Sequence, residues 1–552
     1  MLAEKYTKID FLSYQDFIEN CCITVPNNFN FAFDVVDELA KISPNKNAII
    51  WTNPKGEEQI FTFKDVSCES SKAANFFISR GVKKGNSVML ILKRRYEYWF
   101  CALALHKIGA LLIPANHLLT VKDVKYRIRV ANIKVIVAVA DKRITDIVEV
   151  AKEECSQLKT LVCINGNLQG WVNYSQEIKN CESVFKRPSN SAANVCDDLL
   201  LMYFTSGTTG MPKMVCHDHS YPLGHIITAR FWQNLDDTSI HLTVADTGWA
   251  KASWGKIYGQ WLCGACVFVY DYERFHADEM LKQIVKHKIT SFCAPPTVYR
   301  HLIKEDLSKY DFSNLKHVQT AGEPLNPEVA NQFKKITGLE IMEGFGQTET
   351  VALAAVFPWL KVKHGSMGKP SAGWNVDVVD ESNNPCKPGQ EGRLIVRTEK
   401  VKPVGLFCRY YKNEDMTETV WKNGIYDTGD VVYKDDDGYF YFVGRCDDII
   451  KSSGYRIGPF EVESALLEHS SVLECAVTGV ADAEKGMVVK ATIVLAKGYA
   501  GSEELTKELQ YHVKNVTAPY KYPRIIEYVK ELPKTLSGKI KRKEIAEKDA
   551  KK

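Results

Sequence analysis

No stretch of the 552-residue chain comes near the ~20 consecutive apolar residues that a membrane-spanning helix requires, so no membrane insertion is expected. Residues 1–10 lack a continuous apolar core and carry acids early, which argues against a secretory signal and a transit peptide. With 16 cysteines and no export signal, the expectation is reduced thiols in a cytoplasm. An excess of one charge is also missing. The 71 Lys and Arg stand against 67 Asp and Glu, a net charge of +4, and no concentrated basic face points to nucleic acid. The pair Cys263 and Cys266 has zinc-type spacing but no second Cys or His pair at finger distance, and its apolar neighbours mark core cysteines. His217-Asp218-His219 lacks a third, distant ligand. A Walker A loop, internal repeats and low-complexity segments are absent as well.

What the chain does have is enough apolar residues, 45%, with 25% charged, for a soluble protein of more than one domain. From about 30 to 430, strand-like apolar runs (265–270, 291–294, 318–321, 339–342) alternate with amphipathic helical stretches (277–286, 327–335), the pattern of parallel sheets covered by helices. Short strands with turn signals at 374–379, 392–397 and 431–443 predict a small β subdomain. Beyond Gly444 a helix at 458–468, strands at 472–480 and 488–496, a helix at 503–516 and a strand at 525–529 predict a compact α+β unit. The fold class expected is α/β: a large N-terminal domain over 1–443 with helix-covered sheets and the β subdomain, a hinge at 444–447, and a mobile C-terminal domain over 448–552.

Residues 203–213 read Tyr-Phe-Thr-Ser-Gly-Thr-Thr-Gly-Met-Pro-Lys. An apolar strand end runs into a loop whose glycines, Gly207 and Gly210, can turn backbone N–H groups inward. Thr205, Ser206, Thr208 and Thr209 add hydroxyls and Lys213 a mobile charge, a combination suited to a polyphosphate. Ligands of parallel sheets sit beyond the strands' carboxyl ends, where residues 205–213, 322–324 and 344–350 all fall. The segment Glu343-Gly-Phe-Gly-Gln-Thr-Glu-Thr350 ends in a carboxylate, Glu349, able to serve Mg²⁺ held on phosphate oxygens. Tyr426-Asp-Thr-Gly-Asp430, followed by Gly444-Arg445 and by 451–457, offers a carboxylate and a guanidinium to a ribose diol. Leu532-Pro-Lys-Thr-Leu-Ser-Gly-Lys-Ile540 presents Lys539 on a turn near the C-terminus.

In this order the four segments resemble the adenylate-forming superfamily of acyl-CoA synthetases, aryl-CoA ligases, luciferases and carrier-protein adenylation domains, over essentially the whole chain. Asp246-Thr-Gly-Trp249, the form of 345–350, Ser-Ser-Gly-Tyr-Arg-Ile-Gly-Pro at 452–459 and Ala518-Pro-Tyr-Lys-Tyr-Pro523 look like the medium-chain acyl-CoA synthetases. The resemblance implies an enzyme with ATP, Mg²⁺ and CoA. A carboxylate attacks the α-phosphorus of ATP to give acyl-AMP and pyrophosphate, and the CoA thiol then displaces AMP. Lys213 and the 205–210 loop would hold the β- and γ-phosphates, with Glu349 on the metal. Gly322, Glu323 and Pro324 would frame the adenine, and Glu343, Gly344, Phe345, Gly346, Gln347 and Thr348 would line the nucleotide. Asp430 and Arg445 would take the ribose, and Lys539 would neutralise the carboxylate and α-phosphate. In this family the small domain rotates between the half-reactions. Asp447 occupies the hinge position, and rotation would bring Ser453, Gly454, Tyr455 and Arg456 toward CoA, whose other contacts would be Lys485, Lys514 and Tyr522.

Gly346 speaks to the acid. Acetate-specific relatives carry tryptophan there, so its absence is expected to leave room for several methylenes, each worth ~0.8 kcal/mol on burial. Trp249, Lys251, Trp254 and Cys293 are expected to line or flank the same pocket, the tryptophans limiting its depth. The expected substrate is a short- to medium-chain carboxylic acid, branched ones included, with aryl acids next and transfer to a carrier-protein thiol as the enzymatic alternative. The oligomeric state, monomer or homodimer, is left open.

Overall fold

The computed structural model describes every residue except 206–211, 453–454, 483–484, 536–538 and 551–552. Two large sheets carry the N-terminal part. One has nine strands, ordered Lys369–Pro370, Ala354–Ala355, Ile341–Phe345, His317–Ala321, Ser291–Ala294, Ile240–Thr243, Cys266–Tyr270, Asn47–Thr52 and Glu58–Thr62; the run from Ile341–Phe345 to Asn47–Thr52 is parallel. The other has eight, centred on the parallel strands Ser87–Ile91, Leu111–Pro114 and Val135–Val139 and edged by Arg409–Tyr410, next to Lys213–Asp218, on one side and Val172–Asn173 on the other. These central strands are buried along their whole length, which explains their unbroken apolar sequence. Helix Glu97–Ile108 is buried on every side, including His106 and Lys107; it has no solvent face and therefore no amphipathic period. Elsewhere, helix starts follow the local chemistry, as in the capping boxes of Thr62 with Asp65 and Thr120 with Asp123.

A five-stranded antiparallel sheet forms the β subdomain. Strand Ile425–Lys434 pairs there with Gly392–Arg397 on one side and Phe440–Arg445 on the other. The strand pairing expected within 431–443 thus extends over Ile425–Lys434 and Phe440–Arg445. Gly444 and Arg445, read from sequence as hinge, still belong to the strand, opposite Val431 and Asp430, because Arg445 is held by the carboxylate facing it. The chain first leaves the sheet at Cys446.

The C-terminal part has its own sheet of Tyr455–Ile457, Ile450–Ser452, Gly486–Leu495, Val472–Asp482 and Ile525–Tyr528 and its own apolar cluster, including Ile457, Val462, Leu466, Val477, Ile493, Leu509 and Val513. Leu505, Leu509 and Val513 are the buried stripe of helix Glu503–Val516. Among the described residues, no helix is long and apolar enough to cross a membrane, and no group of three or more His, Cys, Asp or Glu could hold a metal ion. Cys263 and Cys266 are buried in separate apolar clusters, and burial pushes each thiol up to about 12.

Candidate active site

Strands Leu199–Thr205 and Lys213–Asp218 are antiparallel neighbours, and Lys213 stands directly opposite Thr205. Ser206, Gly207, Thr208, Thr209 and Gly210 lie outside the described residues. Lys213 points its ammonium over the ring of Tyr410, 5.2 Å from the centroid. The Tyr410 hydroxyl in turn donates to Glu349 Oε1 at 2.8 Å. Glu349 Oε2 makes no hydrogen bond among the described residues. A single carboxylate with one available oxygen suits Mg²⁺, which takes one or two carboxylates and fills its remaining positions with phosphate and water.

The loop that carries Glu349 follows strand Ile341–Phe345 and is tied down at successive residues. Gln347 N–H donates to Thr350 Oγ1 at 2.9 Å. The Gln347 side-chain amide donates to Thr428 O at 2.8 Å and to Asp430 Oδ2 at 2.6 Å, while its oxygen accepts from the Tyr426 hydroxyl at 2.7 Å. Thr348 O is 2.8 Å from His217 Nε2. A carbonyl only accepts, so Nε2 carries the proton; burial drives the His217 pKa down to about 4 and keeps the ring neutral.

Asp430 and Arg445 face each other across the antiparallel pair, with Arg445 Nη1 2.9 Å from Asp430 Oδ1 and 2.9 Å from Thr428 O. Gly429 makes this possible. Its φ is +71°, and a Cβ there would come within 2.6 Å of Arg445 Nη2. Burial raises the Asp430 pKa, against the opposing pull of Arg445, the Gln347 amide and the charge of Lys539. Near the C-terminus, Thr535 N–H donates to Lys539 O at 2.7 Å. Its ammonium acts electrostatically on Lys251 as well, whose pKa is lowered first by burial and further by Lys539.

Around the expected adenine position, Gly322 has φ +105° with nothing within 4 Å of where a Cβ would stand, leaving a flat approach beside Glu323 and Pro324. Glu343 sits behind this loop and accepts from Leu325 N–H at 3.0 Å. Burial pushes its carboxyl up to about 8.

The acyl side departs from expectation. Lys251 donates to Ala321 O at 2.9 Å and feels Cys293 nearby; Trp249 caps the helix Ala250–Gly255 that carries Lys251 and Trp254. Yet the space beside Gly346 is not empty. A Cβ on Gly346 would meet Trp254 Cη2 and Val351 O at 2.5 Å. Gly344 is similarly backed by Trp232, 2.5 Å from its Cβ position, and the two indoles pack edge to face at 6.0 Å. The Trp254 indole, expected to limit the depth of the pocket, thus stands directly against Gly346.

Of the expected CoA contacts, Lys514 stacks its ammonium over Tyr522 at 4.0 Å and Tyr455 stacks on Tyr520 at 4.1 Å. Arg456 reaches Glu381 of the β subdomain at 3.5 Å. Lys485 sits apart, its N–H on Asp482 Oδ1 at 2.9 Å. Ser453 and Gly454 lie outside the described residues. Asp447 is 3.9 Å from Arg445 Nε. Sequence reasoning missed Tyr410, Tyr426 as a ligand of Gln347, and Trp232. The one available signal was the run of aromatics in 407–411.

Residues 36–406 match the family model described as AMP-binding enzyme, and 461–539 match the AMP-binding enzyme C-terminal domain. The chain is 42% identical over 554 residues to acyl-coenzyme A synthetase ACSM3, mitochondrial, of Mus musculus, covering 98% of this chain and 94% of that protein. It is 42% identical to ACSM4, mitochondrial, of Homo sapiens, covering 96% and 93%. Among solved structures, the anthranilate CoA ligase AuaEII in complex with anthranoyl-AMP superposes with a TM-score of 0.87 at 28% identity, over 96% of this chain and 99% of that one. The acyl-CoA synthetase of Brucella canis superposes at 0.74 with 30% identity, over 98% and 99%. The two matched models, the relatives' near-complete coverage and the shared fold put this chain in the AMP-binding enzyme family, as an AMP-forming acyl-CoA synthetase.

Proposed function

We propose that this synthetase activates a short- to medium-chain carboxylic acid, branched ones included, at the site built around Lys213, Gln347, Asp430 and Lys539. The observation that carries the reading is the meeting of separate segments at one place: Lys213 over the Tyr410 ring, Tyr410 on Glu349, and Gln347 on the Asp430 carboxylate that Arg445 pairs, with the charge of Lys539 acting on Asp430 and on Lys251. A carboxylate approaching a triphosphate must overcome charge repulsion, and a cation between the two relieves it as charge develops. Asp430, fixed by Arg445 and Gln347, would accept the ribose hydroxyls. Lys213 would take the outer phosphates. Glu349 would hold Mg²⁺, which when bound neutralises phosphate charge; the chain's own residues orient the rest. In-line attack by the acid on the α-phosphorus releases pyrophosphate, and the CoA thiol then displaces AMP. For that second step we propose rotation about Asp447, which withdraws Lys539 and offers Tyr455, Arg456, Lys485, Lys514 and Tyr522 to CoA.

The Trp254 indole beside Gly346 favours the shorter end of the range and compact branched acids. Aryl acids are the second reading, favoured by the overlap with a ligase whose structure holds anthranoyl-AMP. Transfer to a carrier-protein thiol has no observation of its own. We also propose a cytoplasmic setting, supported by 16 free cysteines; the curated relatives cited are mitochondrial by name, and cell fractionation decides. The function is tested by an acid panel with ATP, Mg²⁺ and CoA, measuring AMP and thioester together. Release of AMP without thioester, or no acid-dependent pyrophosphate, would reject it.

A further inference from the structure

Tyr410 is opposite Val215 in the strand pair Arg409–Tyr410 with Lys213–Asp218. Lys213 lies two residues from Val215, on the same face of that sheet, so ring and ammonium are diagonal neighbours, 5.2 Å apart. From its other end, the same side chain donates to Glu349 Oε1 at 2.8 Å. One buried residue thus touches a cation and a carboxylate carried by two separate segments, and no ion pair joins Lys213 to Glu349 among the described residues. The ring is locked in turn by Phe407 at 5.0 Å, which also packs on Trp421 and Tyr426 at 5.6 and 5.4 Å. From this cluster two phenols reach the same loop, Tyr426 to Gln347 and Tyr410 to Glu349.

We propose that Tyr410 is a positioning residue for the triphosphate end of ATP: its hydroxyl aims the Glu349 carboxylate and its ring holds Lys213 at a distance, so that the two opposite charges stay apart and both face the outer phosphates. Tyr426 does the corresponding work for the ribose end, through Gln347 and Asp430. The inference rests on the proposed roles of Lys213 and Glu349.

The test compares Tyr410→Phe, Tyr426→Phe and Glu349→Gln in the full-length protein by titration with ATP plus Mg²⁺ and, separately, with AMP. Losing a hydrogen bond to a charged group should raise the Kd of Tyr410→Phe for Mg²⁺-ATP about tenfold or more and its half-saturating Mg²⁺ concentration with it, while Kd for AMP stays within about twofold. Tyr426→Phe should weaken both ligands. The phenylalanine ring keeps the Phe407 packing, so the melting temperature of Tyr410→Phe should match the native protein. If Glu349→Gln weakens Mg²⁺-ATP and Tyr410→Phe does not, the inference fails by itself. It also fails if Tyr410→Phe loses AMP affinity equally, or only melts earlier. If Glu349→Gln leaves Mg²⁺-ATP binding intact, the reading of the triphosphate site falls and the inference with it.

Discussion

Trp254 should set the acyl length limit. The indole is 7% exposed and stands 2.5 Å from where a Gly346 side chain would begin; its backbone is fixed by Gln233 and Gln260, whose side-chain amides donate to Trp254 O at 3.2 and 2.9 Å. Replacing it by alanine removes a side chain that occupies about 150–250 Å² of contact area. Hexanoate exceeds propionate by three methylenes, and at ~0.8 kcal/mol each their burial is worth about 2.4 kcal/mol, a factor of about 60. The ratio of kcat/KM for hexanoate over propionate should therefore rise about 60-fold in Trp254→Ala. The cavity costs stability, about 3–5 kcal/mol for a buried Trp→Ala, so a lower melting temperature is expected and Trp254→Leu is the milder companion. By the same geometry Gly346→Trp alone has nowhere to put its side chain and should lose stability and activity toward every acid. Combined with Trp254→Ala it should recover and favour the shortest acids. The assay is AMP release over a propionate-to-octanoate series with thermal melting alongside. An unchanged chain-length profile in Trp254→Ala would refute the reasoning, as would a stable, active Gly346→Trp single variant.

Three further outcomes are expected. Lys539→Ala should abolish acid-dependent pyrophosphate release while largely sparing thioester formation from supplied acyl-AMP; equal loss of both half-reactions would contradict rotation about Asp447. Glu343 has a folded pKa near 8, well above the usual 4.5, because it is buried. Between those values the folded state holds a proton that the unfolded chain has released, so its contribution is intact below pH 4.5 and lost as pH rises to 8. Glu343→Gln keeps the acceptor for Leu325 N–H and should gain melting temperature relative to the native protein at pH 8 but not at pH 5. Buried Lys256 runs the other way, its pKa lowered from 10.5 to about 7 chiefly by burial and then by Arg94. Unfolding takes up a proton between those values, and the destabilisation is largest below pH 7. Lys256→Met should therefore stabilise more at pH 6 than at pH 9, measured by denaturant unfolding.

The elements most legible in the sequence were those whose period reports one buried face. Helices Ala277–Lys286 and Glu503–Val516 were read at their observed ends, since each keeps its apolar residues on a single stripe. Helix Glu97–Ile108 gives no such signal because it is buried all round. The strand at 440–445 was cut short because Gly444 and Arg445 look like loop residues. They are strand residues only because Asp430 waits across the pair, a fact of register that no local pattern contains.

The site divides along the same physical line. Lys539, on a basic turn near the C-terminus, took its role from the family resemblance, but glycines, hydroxyls and a lysine in a loop declare themselves because the backbone geometry they permit is local, and so Lys213, Glu349 and Asp430 could be offered from their own segments. Their supports could not. Tyr410, Tyr426 and Phe407 are unremarkable aromatics until the edge of the eight-stranded sheet, carrying Tyr410, and the β subdomain, carrying Tyr426, bring two phenols to one loop. In the acyl pocket Gly346 was read as room and Trp254 as a limit on its depth, and the two positions stand against each other. Volume in a packed core belongs to whichever side chain arrives, and Trp254 arrives from a helix 92 residues earlier in the chain. A glycine in such a motif therefore reports only that something approaches closely. Whether that neighbour is substrate or protein is decided by the fold, and in this chain it is an indole.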